Sequence, residues 1–350
     1  MGWLSGWGYR KSHEIQGSSV GAQTNYQIRI IVHKSTGTDS DEHVYCNNHC
    51  RDDFGDIRFT KSDGTTLLDY WLENYTSGDN ATFWVKVDSI PASPDTATIY
   101  IYYGKSDATT TSDGESTFLF FDHFEGSSLD TNKWTDISGD VSVSNSWVTY
   151  RDLDTGTVAK FRSLNTWQYN VALRAKAQFL YSAGTTNFGF RTPTTPIDGM
   201  LFLLQYTTGT LKCRTENEGT FTDTEITKDN EVHIWDIAWI SGQAKYWRDN
   251  SLLATHTTNV PDESLPLRCA CVRADVGYDT GAKIDWILLR KYVEPEPSHG
   301  SWGSEEQSGA TEVAITDSAT GVEALSRLYR SLNLTDIATS QESFSRPYRQ

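Results

Sequence analysis

Four soft side chains, His43, Cys46, His49 and Cys50, lie within eight residues, a density at which imidazole and thiolate could hold zinc. A zinc knuckle then needs a second ligand pair farther along the chain, which is absent unless both histidines close the site. A Cys46–Cys50 disulfide across a tight loop, or two free thiols, meets the same pattern without metal. Cys269 and Cys271 point to one face of a predicted strand, so either could meet Cys213 across a sheet, but not both. Five cysteines allow at most two bridges within the chain and leave one thiol over, so the redox compartment stays open. Asp52, Asp53, Asp56 and Arg58 form an acidic cluster that could hold a cation or take part in catalysis. The simpler account has loop carboxylates capping turns and pairing with Arg51 and Arg58.

A second chemistry is sugar recognition. Trp167, Tyr169, Tyr206, Trp239, Tyr246 and Trp247 supply rings that match the apolar faces of pyranoses, although such aromatics also fill cores. Tyr246 and Trp247 adjoin a turn at Asp249-Asn250, whose carboxylate and amide could bind hydroxyls. The expected ligand-binding set is therefore Trp239, Tyr246, Trp247, Asp249 and Asn250. No phosphate-cradling glycine loop, Gly-x-Ser-x-Gly or His-Glu-x-x-His occurs, so nucleotide, esterase and zinc-protease readings have nothing to stand on. Lys plus Arg is 30 against 46 Asp plus Glu, a formal charge of -16 that argues against nucleic acid and polysulfated chains as partners.

The elements that position these residues read as strands. With 12 Trp, 17 Tyr, 14 Phe and only 2 Met, the 350-residue chain favours antiparallel sheets over helices. Residues 1–115 carry strand patterns at Tyr26 to His33, Asp56 to Thr60, Leu67 to Leu72, Ala81 to Val87 and Thr96 to Tyr103, which predicts a β-sandwich. Gly104 to Ser116, rich in Ser, Thr, Asp and Gly, reads as a linker and the most protease-sensitive point. Residues 116–295 alternate strands and turns again. Val171, Leu173, Ala175 and Ala177 share one strand face, and a meander runs from Val232 through Asp249-Asn250 to His256. Residues 296–350 read as a linker and a tail in which Thr316 to Arg330 and Thr335 to Arg349 match at nine of 15 positions, shifted by 19 residues. Such repeats stack on neighbours, so self-association through the tail is expected. No apolar run approaches the roughly 18 residues of a membrane span, and the N-terminus lacks signal-peptide features.

Cys50 to Thr60, Ser62 to Trp71, Phe83 to Val87, Ile90-Pro91 and Ile99 to Gly104 resemble a bacterial and archaeal domain family of unknown function, number 2341. The resemblance implies a module of a large secreted or cell-surface protein, without an assigned reaction. Phe121 to Gly126 with Leu129-Asp130 and Trp134, Trp247 to Asn250, and Ile284 to Leu289 are similar to the concanavalin A-like jelly roll of legume lectins, laminin G modules and several glycoside hydrolases. That resemblance implies first and last strands lying side by side, with calcium held near them. Asp285 best matches the side-chain ligand, with Asp122 or Gly126 contributing, and His123 stands where relatives often carry an acidic residue. The Glu-x-Asp-x-x-Glu string by which such hydrolases place their paired carboxylates does not occur.

The sequence thus predicts an all-β protein of two consecutive antiparallel sandwiches, the second a concanavalin A-like jelly roll, with a short repetitive tail. The expected function is non-catalytic glycan binding or adhesion at an extracellular, cell or virion surface, with structural calcium. A glycoside hydrolase or polysaccharide lyase, and a structural subunit of a surface fibre or viral tail, are the alternatives.

Overall fold

The computed structural model describes residues 2–152, 158–180, 184–193, 195, 197–205, 209–273 and 280–309. The repeat tail, and with it the expected self-association, lies outside them, as does Tyr206.

Two sandwiches of mainly antiparallel strands are present. In the first, one sheet runs in the order Ser298–Trp302, Tyr9–Gln16, Thr96–Tyr103, Arg58–Lys61, and the facing sheet in the order His43–Tyr45, Gln23–His33, Asn80–Ile90, Tyr70–Thr76. The predicted alternation of Ile28, Ile30 and Val32 places these side chains in the core with Phe59, Phe83 and Ile101. The second sandwich joins a seven-stranded sheet to an eight-stranded one. The seven-stranded order is Thr220–Ile226, Thr210–Asn217, Gly199–Gln205, Gly184–Arg191, Leu265–Arg273, Ala159–Trp167, Trp134–Ser138. In the other sheet Thr280–Lys291 and Val171–Leu180 are central, with His233–Ile240, Gln243–Arg248 and Ser251–His256 beyond. Phe120–Asp122 pairs with Thr280–Lys291, so the first and last strands of this sandwich are neighbours, as the jelly-roll resemblance implied.

Val171, Leu173, Ala175 and Ala177 line the core together, yet the opposite face of their strand is equally covered. Ala172 and Arg174 are buried, as are Ala238, Trp286 and Leu288 on neighbouring strands. The first sandwich packs against this face. Trp71 and Trp84 meet Phe118, Phe121, Trp286 and Leu288 in an aromatic cluster, with Trp71 and Trp286 edge to face at 5.1 Å. Burying each large side chain of this kind stabilises by about 1.5–3 kcal/mol.

Two expected boundaries are corrected. Gly104 to Ser116 is a packed strap: the Arg58 guanidinium donates to the Thr109 carbonyl, the Thr111 amide donates to Tyr70 Oη at 3.0 Å, and Ser112 Oγ accepts from the Leu72 amide at 2.8 Å. The stretch is largely exposed, and its polar composition supplies hydrogen bonds that tie it to the first sandwich. The segment after residue 295 is also more than a linker, because Ser298–Trp302 returns to the first sandwich and pairs with Tyr9–Gln16. The chain therefore leaves the first sandwich, builds the second and comes back, and residues Met1–Glu306 form one compact unit.

Candidate functional site

The turn at Asp249-Asn250 forms as predicted. Both residues have positive φ, 50° and 64°, and Arg248 faces Ser251 across it, the geometry of a two-residue hairpin. Its residues then divide. Asn250 and Trp247 reach a cavity of about 280 Å³ between the two sandwiches, which Arg29, Glu42, Arg174, Asp236, Arg290 and Tyr292 also line. Asp249 instead braces the hairpin, accepting from the Ile234 amide at 3.0 Å and lying 2.6 Å from His233 Nδ1.

Tyr246 and Trp239, expected as sugar-stacking rings, are corrected: both are fully buried. Strand alternation turns them inward, where Tyr246 Oη donates to the Arg214 carbonyl at 2.5 Å and Trp239 Nε1 to the Pro261 carbonyl at 3.2 Å. Trp247, one residue on, takes the other face.

At the cavity floor one cation serves two carboxylates. Arg174 donates through Nε and Nη2 to both Glu73 oxygens at 3.0 Å, and through Nη1 to Asp236 Oδ2 at 2.7 Å. Trp84 Nε1 also donates to Glu73, at 2.7 Å. Burial pushes the Asp236 carboxyl up, and Arg174, shared with Glu73, offsets this only in part. Arg29 pairs bidentately with Glu42 and donates to Asn250 Oδ1 at 2.8 Å. Arg290 pairs with Glu296 and lies over the Trp84 ring. Among the described residues, Asp236 Oδ1 and Asn250 Nδ2 have no hydrogen-bond partner. Glu73, Arg174 and Asp236 were not anticipated from sequence. Arg174 and Asp236 are cross-strand partners, a signal available only once the strands are correctly paired.

Of the soft-ligand cluster only Cys46 and Cys50 come together, within hydrogen-bond reach of each other. His43 Nδ1 lies 2.9 Å from His33 Nε2, His49 stacks on Tyr9, and Cys46 and Cys50 are buried free thiols, as are Cys213, Cys269 and Cys271. The acidic cluster follows its simpler account. Asp56 accepts from the Arg51, Gly104 and Lys105 amides, and Asp53 pairs with Arg51.

The expected calcium ligands do not fit a cation site. Asp285 is ion-paired with Lys176 at 2.7 Å. Asp122 uses one oxygen for the Phe124 amide, at 2.8 Å, and the other for Trp134 Nε1, at 2.6 Å. Gly126 lies in an exposed bend with φ 100°. Among the described residues, no group of three or more His, Cys, Asp and Glu side chains is placed to hold a metal.

The family model of the domain of unknown function DUF2341 matches residues 53–137. The DUF2341 match therefore takes in the strap and the first strands of the second sandwich, ending in Trp134–Ser138. No curated protein matches the chain. Solved structures align with about half of it. A β-glucanase of Bacillus licheniformis shares 15% identity at a TM-score of 0.42, covering 49% of this chain and 97% of that one. A lichenase from a mouse hindgut metagenome shares 12% at 0.42, covering 50% and 99%. A pseudo β-1,3-glucanase of Mycobacterium tuberculosis shares 15% at 0.42, covering 50% and 99%. Among the described residues, no helix is long and apolar enough to cross a membrane.

Proposed function

We propose that the protein is a non-catalytic glycan-binding module of an extracellular or virion surface, and that its cavity between the sandwiches accepts a neutral sugar residue. One observation carries this reading: Asp236 Oδ1 and Asn250 Nδ2, an acceptor and a donor without protein partners, share a cavity of about 280 Å³ with the Trp247 and Tyr292 rings. Hydroxyl pairs need both kinds of partner, and the apolar face of a pyranose needs a ring. The other carboxylates on the wall, Glu42 and Glu296, are each held by an arginine. That supports binding over hydrolysis, which requires two carboxyl groups on opposite sides of the scissile bond.

The test is affinity electrophoresis in neutral polysaccharides with the intact chain, Trp247→Ala and Asn250→Gly. Glycine keeps the positive-φ turn while deleting the amide. Both variants should lose retention with melting temperatures close to the parent's. A parent retained by no neutral polysaccharide would end the reading. The surface location is part of the proposal and is checked by labelling intact cells or particles with an antibody.

A further inference from the structure

The seven-stranded sheet turns one face to the core and the other away from it. Phe161, Phe188, Phe190 and Cys269 lie in the core, so Arg162, Asn187, Gly189, Arg191 and Arg268 take the opposite face by alternation. The register sets Arg162 directly across from Arg268, and Arg268 across from Gly189. Two arginines thus face each other across adjacent strands, an arrangement that like-charge repulsion disfavours. Among the described residues, Arg191 and Arg268 have no hydrogen-bond or ion-pair partner, and Arg162 has only Asp136, at 4.0 Å and shared with Lys160. The Nε atoms of all three arginines and Oδ1 of Asn187, itself only 3% exposed, are buried without a partner. Burial, reinforced by Arg268, holds Arg191 down to about 10. The guanidinium tips stay partly exposed while each Nε is buried without a partner, and Glu216 beside Arg191 and Asp136 beside Arg268 offset the like charges only in part, so a bound anion would relieve the repulsion.

We propose that this face is a second binding site, distinct from the cavity between the sandwiches, and that it takes an anionic polysaccharide through Arg162, Arg191 and Arg268. Guanidinium forks match carboxylate and sulfate oxygens bidentately. Gly189, directly across from Arg268, adds no side chain beside it. The charge of -16 does not prevent this, because screening confines the field of surface carboxylates to roughly 8 Å at physiological salt. It does disfavour duplex nucleic acid, whose dense phosphates would extend far beyond the patch. The expectation that polyanions are excluded thus gives way on this face.

The intact chain is tested by affinity electrophoresis in polygalacturonate, dextran sulfate and neutral dextran, and by titration with duplex DNA. Polygalacturonate or dextran sulfate should retain it, with retention falling as salt rises. Retention by the first alone identifies a carboxylated sugar, and by both a site indifferent to the anion. Arg191→Gln/Arg268→Gln should weaken retention about tenfold or more, while its melting temperature stays level or rises as repulsion is relieved. Equal retention of parent and variant, DNA bound as tightly as polysaccharide, or a variant that melts lower because the arginines are structural would each overturn the proposal. Trp247→Ala should leave this binding unchanged, which separates the two sites.

Discussion

Trp302 lies flat on His13, ring centroids 3.6 Å apart and 9° from parallel, closing the first sandwich with a strand contributed after the second is complete. Trp302→Ala should lower stability by about 3 kcal/mol, in the range for removing a large aromatic from a packed position. Chemical denaturation read by intrinsic fluorescence checks this; a loss near zero would mean the return strand is dispensable.

His13 also lies 2.8 Å from His299, Nε2 to Nδ1. Burial, with His299 beside it, pushes His13 from its ordinary 6.5 down to about 3. The folded state therefore favours neutral imidazole. The stability it contributes is complete above pH 6.5 and is lost as pH falls from 6.5 towards 3, by up to about 4 kcal/mol. Unfolding free energies across that window should show a shallower acid slope for His13→Gln than for the parent, whatever the variant's absolute stability.

Arg174→Ala would leave Glu73 and Asp236 facing each other, both largely buried, and should cost about 3–5 kcal/mol. Glu73→Gln should cost less, because Asp236 still neutralises the guanidinium. The ordering of the two denaturation midpoints is the measurement.

Limited proteolysis should spare residues 104–116, since Arg58 and Tyr70 bind the backbone of Thr109 and Thr111 and Ser112 Oγ holds the Leu72 amide. A second sandwich expressed alone should aggregate, because Phe121, Trp286 and Leu288 would face water. Early cleavage within 104–116 into two soluble halves would contradict the packed strap.

Calcium and chelator should give the same melting curve, and Asp285→Ala should shift it by less than about 1 kcal/mol in either condition, as expected for a partly exposed pair with Lys176. A calcium-dependent rise would show that oxygens other than those of Asp285 and Asp122 bind the ion.

The sequence alone determined several of the strands and their inward faces. Ile28, Ile30 and Val32, Val171 to Ala177, the meander and the Asp249-Asn250 hairpin were legible because two-residue alternation and turn chemistry act over a few neighbouring residues. It also singled out Trp247 and Asn250, which both line the cavity between the sandwiches. Tertiary structure alone decided what covers each face. Tyr246 and Trp239 carry the same signal as Trp247, yet alternation and packing send them inward. The polar stretch at 104–116 reads as free chain until Arg58 and Tyr70 bind it, and the 298–302 strand has no local signal that its partner is Tyr9–Gln16. Arg174 with Asp236, and Arg162 with Arg268, become neighbours only through strand register. Register depends on which distant strands pair, and no local run of residues contains that information.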